Sequence, residues 1–291
     1  MRLDDQAIVV TGAGKGIGAA YAHALAAAGA AVVVDDIDAP AADAVAAAIC
    51  AAGGRAVSEA RDVRDAAGAQ ALVDRCIGEF GRITGLCNNA GLMIPNLLTE
   101  TDPHDVRAML ETNVLGTFHS TQAAVRPMLE QGHGSIVNVT SGSQTGQRAN
   151  SGYGASKGAV ATMTYAWAGE LAGSGVRVNA ISPMAHSPMS VTMEAYQQAH
   201  GVAFRAADLP APEANAPVVV FLMSDRAAGV NGQVLRIDGT RLALMAHPAI
   251  RTPVLERDPW TPDDVADAYD TVLRDLVLPV DVARYDIERV W

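Results

Sequence analysis

Tyr153-Gly154-Ala155-Ser156-Lys157 sets a phenol and an ammonium four residues apart, a spacing that on a helix brings both to one face. A neighbouring ammonium favours the ionised phenol, so the pair predicts a tyrosine pKa drawn down from about 10 toward working pH. A phenol tuned in that way can serve as a general acid/base. Taken alone, the pair is a common surface feature. Its context says more: the apolar run Ser135–Val139 leads into Asn138-Val139-Thr140-Ser141, twelve residues before the tyrosine.

A second chemical feature lies at the other end of the chain. Thr11-Gly12-Ala13-Gly14-Lys15-Gly16-Ile17-Gly18 follows an apolar strand and opens an alanine-rich helix. Gly12, Gly16 and Gly18 allow a tight turn and close backbone approach to a pyrophosphate at a helix N-terminus. The same string is not an ATP phosphate loop. Gly16 stands where a magnesium-binding Ser or Thr is needed, and Val9 where the first loop glycine is needed. Asp36 ends the second strand, 18 residues beyond Gly18. A carboxylate there accepts hydrogen bonds from adenosine ribose hydroxyls and repels a 2′-phosphate. Asp35 and Asp38 compete for that assignment, and the Lys15 cation points toward a 2′-phosphate instead. The weighting favours NAD, with NADP second, because a 2′-phosphate both removes the carboxylate's bonds and meets its charge.

These residues need a scaffold, and the rest of the chain describes one. In 291 residues, 49% are hydrophobic and 18% charged, a composition for one large folded α/β domain. Short β-branched runs alternate with alanine-rich stretches, which predicts a doubly wound, Rossmann-type parallel sheet of about seven strands with helices on both faces. The strands are expected near 7–11, 31–35, 56–60, 83–87, 135–139, 176–181 and 233–237. The helices are expected near 16–28, 39–52, 66–80, 103–129, 152–172 and 212–223. Ligands of such a sheet sit at the carboxyl ends of its strands, where Thr11, Asp36 and Ser141 all fall.

Composition excludes other classes. A net charge of −11 opposes nucleic-acid binding. No apolar run reaches the length of a membrane span, and Met1–Gln6 lacks the pattern of a secretory leader. Cys50, Cys76 and Cys87 form no CxxC and predict reduced thiols in a cytoplasmic protein. No HExxH exists, so no metal site is expected, and the one GxSxG string, Gly154-Ala155-Ser156-Lys157-Gly158, falls inside the expected helix 152–172 rather than at the strand-to-helix turn a hydrolase elbow needs. Of 21 basic residues only Lys15 and Lys157 are lysines, and both lie inside the motifs above.

Together these motifs resemble the short-chain dehydrogenase/reductase family. The resemblance rests on TGxxxGIG (Thr11–Gly18), Asp62-Val63, Asn88-Asn89-Ala90-Gly91, Asn113–Phe118 as NVxGxF, the Ser141 region and YxASK (Tyr153–Lys157). Asn179–Pro183 and the Gly232…Gly239 ending complete it, so that it spans residues 1–240 in the family's order. It implies a catalytic tetrad of Asn113, Ser141, Tyr153 and Lys157 that interconverts a secondary alcohol and a ketone. Tyr153 would exchange the proton, Ser141 would bond the substrate oxygen, Lys157 would also hold the nicotinamide ribose, and Asn113 would support a proton-relay water. Gly12, Lys15, Gly16, Ile17, Gly18 and Asp36 would hold the dinucleotide on one side. Asp62 and Val63 would read adenine, Asn89, Ala90 and Gly91 would line the adenosine, and Pro183 and Ser187 would meet the carboxamide. The partners implied are a small, apolar alcohol or ketone and further copies of the chain, as a tetramer or dimer packed through helices 103–129 and 152–172.

Three features depart from that pattern or exceed it. Met184 replaces the usual glycine after Pro183. Met184, Met189, Met193, Tyr196 and Phe204 could form an apolar lid or equally ordinary core. Residues 241–291 lie outside the resemblance, yet Thr261-Pro262-Asp263-Asp264 reads as a helix start with Thr261 as cap. It opens a helix near 261–276 whose apolar face calls for burial against the domain or a neighbouring subunit. A different class stays open: a catalytically silent dinucleotide-binding sensor or scaffold, which would have no need of all four tetrad residues.

Overall fold

The computed structural model describes residues 1–201 and 205–277. Eight strands form one sheet: β1 (Ala7–Val10), β2 (Ala31–Asp35), β3 (Arg55–Glu59), β4 (Gly85–Asn88), β5 (Gly134–Val139), β6 (Val176–Met184), β7 (Val234–Asp238) and β8 (Arg241–Leu244). Their order is β3-β2-β1-β4-β5-β6-β7-β8, with every pairing parallel except that of β7 with β8. The chain reverses direction across the sheet between β1 and β4, where doubly wound folds open their ligand crevice.

Strand pleating explains why these segments are almost purely apolar. Ile8, Val10, Val32 and Val34 pack with Tyr21, Leu25, Ile49 and Leu222 on one face. Ala7, Val9 and Val33 alternate with them and pack with Leu72, Ile83, Met128 and Ile136 on the other. The first face is covered by α1 (Gly16–Ala27), α2 (Ala39–Ala51) and α8 (Ala216–Met223), and the second by α3 (Ala66–Phe80), α5 (Gly116–Gln131) and α6 (Ser151–Glu170), while α4 (Pro103–Leu110) and α7 (Pro188–Ala199) lie outside both clusters.

Three local differences from expectation have clear causes. Strand β8 lies beyond residue 240, after the last expected strand. All four of its residues are exposed, so it carries no burial pattern and is held by its ladder to β7 across a turn in which Gly239 has φ 57°. The helix expected over 103–129 is interrupted by a π-helical turn, Glu111–Leu115, between α4 and α5. Such turns recur at functional positions, and this one holds Asn113. Strand β6 runs on through Met184 because Asn215 pairs with that residue's backbone twice, accepting from its N at 3.3 Å and donating to its O at 3.2 Å. Met184 does not adopt a positive φ, so replacing glycine there costs no strain.

The described residues from Ala246 to Val277 belong to a separate compact unit. Within it, α9 (Pro262–Ala268) continues into a π-helical turn, Tyr269–Leu273, and a 3-10 turn, Arg274–Leu276. Thr261 Oγ1 accepts from Asp264 N at 3.2 Å while Asp264 Oδ2 accepts from Thr261 N at 3.1 Å, a reciprocal capping box. No residue of α9 is buried, and Val265 and Tyr269 are exposed.

Candidate active site

The carboxyl ends of β1, β2 and β4 build a cradle from backbone. Gly12 has φ 61°, and a Cβ there would lie 2.7 Å from Ala90 Cα. At Gly18 a Cβ would lie 2.2 Å from Gly12 O and 2.4 Å from Asn89 Nδ2. Thr11 Oγ1 accepts from the backbone N of both Asn89 and Ala90 at 3.1 Å, and Asn89 Nδ2 donates to Thr11 O at 3.0 Å and Gly12 O at 2.8 Å. Asn89 thus stitches two loops together. Helices α2, α3 and α4 each begin under an aspartate that caps an N-terminal amide, whereas α1 begins at Lys15 with no side-chain cap. The first amides of α1, around Gly16, Ile17 and Gly18, are left for an anion.

Adjacent residues of a strand point to opposite sides, and this separates the two aspartates. Asp36 Oδ2 accepts from Gly14 N at 2.9 Å, so its carboxylate faces the glycine-rich turn. Asp35 accepts from Arg61 N at 3.0 Å, and burial with Asp36 and Glu59 nearby raises its pKa to about 7. The carboxylate of Asp62 is engaged by Arg64, whose Nε donates to both oxygens at 2.9 Å, and Val63 beside it is buried. Lys15 is exposed at the rim. A cradle that excludes side chains, an uncapped helix start and a carboxylate at its edge fit a dinucleotide. Its pyrophosphate would lie on Gly12–Gly18 and its ribose near Asp36.

The ends of β5 and β6 and the start of α6 supply side chains instead. Tyr153 and Lys157 are both buried, as is Asn113. Lys157 Nζ donates to Val139 O at 2.8 Å and lies 5.8 Å from the centre of the Tyr153 ring. Burial lowers the Lys157 pKa to about 8. Burial also raises that of Tyr153 to about 12, opposed by a hydrogen bond with Ser141. The downward shift expected from the lysine is therefore corrected: desolvation of the phenol outweighs its neighbours, and Lys157 is itself disfavoured as a cation. Gly154 allows the approach of α6, since a Cβ there would lie 2.6 Å from Ser143 O.

Asn113 spends its amide on the protein. Its Oδ1 accepts from Leu92 N at 2.7 Å, and its Nδ2 donates to Leu92 O at 2.9 Å and to Ser156 Oγ at 2.8 Å. Ser156 Oγ in turn donates to Tyr153 O at 2.7 Å. A Cβ at Gly91 would lie 3.3 Å from Asn113 Oδ1 and 3.4 Å from Lys157 Nζ, so both cradle and tetrad border that glycine. Ser187 caps α7, accepting from Ser190 N at 3.3 Å. Pro188 and Ser187 lie beside Gly16, where a Cβ would meet them at 3.4 and 3.8 Å. Pro183 is in β6, paired with Ile237. Among the apolar residues after it, Met193 is buried in α7 and Tyr196 stacks on His200 at 4.2 Å; Phe204 lies outside the described residues.

Sequence patterns alone do not single out the residues that brace this site. Thr11 and Ser156 sit inside the motifs but read there as filler. Asn88 Nδ2 donates to Asn138 Oδ1 at 2.9 Å and Asn138 Nδ2 to Thr164 Oγ1 at 2.9 Å, all buried. Their one visible signal is an asparagine at the end of an otherwise apolar strand.

Comparison with known proteins agrees with this geometry. The family model for short chain dehydrogenases matches residues 6–199. A cis-4-hydroxycyclohexanecarboxylate dehydrogenase of Sinomonas cyclohexanicum is 41% identical over 239 residues, covering 81% of this chain and 96% of that protein. A 3-oxoacyl-[acyl-carrier-protein] reductase of Thermotoga maritima is 36% identical over 246 residues, covering 82% of this chain and 98% of its own. The crystal structure of a short chain dehydrogenase from Mycobacterium avium superposes with a TM-score of 0.84 at 30% identity, covering 96% of this chain and 98% of that one. With the Rossmann-type sheet and the Ser141–Tyr153–Lys157 cluster described above, these matches make the chain a member of the short-chain dehydrogenase/reductase family, oxidoreductases that use a nicotinamide dinucleotide.

Proposed function

We propose that the protein interconverts a secondary alcohol and a ketone, with NAD as cofactor and Tyr153 as the general acid/base. The observation that carries this reading is the cluster in which a buried Tyr153 hydrogen-bonds the half-buried Ser141 and stands beside a buried Lys157. When bound, the dinucleotide supplies or accepts the hydride at nicotinamide C4. In reduction, Ser141 and Tyr153 donate hydrogen bonds to the substrate oxygen, so charge that develops there meets fixed donors. Tyr153 then transfers its phenolic proton to that oxygen, and the Lys157 ammonium steadies the phenolate left behind. A pKa of about 12 makes Tyr153 a proton donor at neutral pH, and one of about 8 keeps Lys157 largely cationic there. Oxidation runs the same steps backward from the phenolate.

A silent sensor or scaffold is the weaker reading. Burying an ammonium is unfavourable; a protein that only bound the dinucleotide could use Lys157 for the ribose but would gain little from burying the Tyr153 phenol beside it. The carboxylate of Asp36, turned toward Gly14, supports NAD over NADP. Leu110, Leu115, Phe118 and Leu129 are exposed along and before α5. An apolar row of that kind supports a homotetramer or dimer packed through this helix. Among the described residues no helix is long and apolar enough to cross a membrane.

Reduction of NAD on adding cyclic, aryl and hydroxyacyl alcohols tests the reaction directly. The kcat/KM with NAD should exceed that with NADP, and Asp36→Ala should shrink the gap by about ten- to a hundredfold. A wild-type preference for NADP would show that Lys15 governs the choice.

A further inference from the structure

We propose that Gln147 is a specificity-determining residue whose Nε2 donates to a second oxygen on the substrate, a few bonds from the reacting carbon. The assignment rests on the oxidoreductase reading above and narrows its substrate to bifunctional alcohols and ketones.

Ser141 Oγ lies 3.3 Å from Ser143 Oγ and accepts from Ser143 N at 3.2 Å. Ser143 is buried, and its hydroxyl donates to Gln147 Oε1 at 2.7 Å. A planar amide clamped by its oxygen has a defined direction for its nitrogen. Nothing among the described residues accepts a hydrogen bond from Gln147 Nε2, and the side chain is half-exposed rather than sealed in the core. A polar donor is thus held two hydrogen bonds from the group that binds the reacting oxygen.

The turn that carries Gln147 is braced in a way an idle surface loop does not require. Gln147 O accepts from Asn150 N at 3.2 Å, and Ala149 O accepts from Asn96 N at 2.8 Å. Between them Ala149 is held at φ 62°, the one described non-glycine residue with a positive φ. Strain of this kind persists where surrounding contacts over-determine the backbone, and its effect here is to fix where Gln147 can point. An amide N–H is neutral, so it suits a hydroxyl, carbonyl or carboxylate oxygen alike.

The test compares cyclohexanol with 1,3-cyclohexanediol and 3-hydroxycyclohexanecarboxylate, reading kcat/KM for each with the holoenzyme. The wild type should prefer the two bifunctional alcohols. Gln147→Leu should lower the ratio of each to cyclohexanol by about tenfold, the scale of one lost hydrogen bond. Gln147→Glu should depress the ratio for the hydroxycarboxylate further than that for the diol, because like charges then meet. Thermal melts of both variants separate loss of folding from loss of selectivity. Ratios unchanged in both variants, or a wild type that favours cyclohexanol, would overturn the role of Gln147 alone. No turnover of any of the three with either NAD or NADP would overturn the oxidoreductase reading and this assignment with it.

Discussion

The two halves of the site solve their problems with opposite materials. At the ends of β1, β2 and β4 the working surface is backbone: glycines whose Cβ positions are already occupied, amides at an uncapped helix start, and one carboxylate. At the ends of β5 and β6 it is side chains: two hydroxyls, an ammonium and an amide, all at least partly removed from water. A backbone cradle reads a ligand by shape and charge and cannot do proton chemistry. A cluster of side chains can, but only if desolvation and hydrogen bonding tune it. The first half should therefore fail through sterics and folding, and the second through turnover with the fold intact.

The sharpest break of that contrast is at Gly18. A Cβ there falls 2.2 Å from Gly12 O, so Gly18→Ala should cost about 3 kcal/mol of stability and abolish dinucleotide binding, as read by chemical denaturation and cofactor titration. A variant that binds normally would show that the cradle is more pliable than its contacts imply.

Tyr153→Phe is the counterpart in the other half. It should melt like the wild type and bind cofactor, yet turn over at least about 100-fold more slowly, the scale of a lost general acid/base. In the wild type, reduction should weaken as pH rises through about 8, where Lys157 loses its charge, while oxidation should gain only toward about 12, where the Tyr153 phenolate becomes available. If both directions follow pH alike, proton transfer does not run through this pair.

Asp35 tests whether the cradle's aspartates differ as their orientations suggest. Its folded pKa of about 7 exceeds the ordinary 3.8, so the folded state holds the extra proton between those values and stability falls as pH rises from 3.8 to 7. Asp35→Asn keeps an acceptor for Arg61 N and removes the charge. It should raise stability by on the order of 1–3 kcal/mol at pH 8 and by almost nothing near pH 4, measured by melts across pH.

The smallest effect is expected at Ala149. Glycine relieves a left-handed φ of 62°, which offsets its greater freedom in the unfolded chain. Ala149→Gly should be neutral or stabilise by up to about 0.5 kcal/mol, whereas Ala48→Gly, exposed in α2, should cost about 1 kcal/mol. Equal losses at both sites would remove the case for strain in the turn carrying Gln147.

Family resemblance, rather than local pattern, added Ser141 and Asn113 to the expected site; the amino-acid sequence by itself determined the layered sheet, the glycine turn and the pairing of Tyr153 with Lys157 on one helix face. These are legible because apolar alternation, glycine and an i, i+4 spacing act within a few residues of chain. It did not reveal β8, a four-residue strand that leaves Leu242 and Leu244 exposed and exists through its ladder with β7. Nor did it separate Asp35 from Asp36, a matter of which side of β2 faces Gly14. The direction of the Tyr153 pKa was decided by tertiary packing as well, since burial by residues distant in the chain outweighs a lysine four positions away. Gln147 belongs to the same class: its placement depends on Ser143, Asn96 and Asn150 converging on one turn. Local pattern records what a segment can do alone, while orientation, desolvation and bracing arise only when segments far apart in sequence meet.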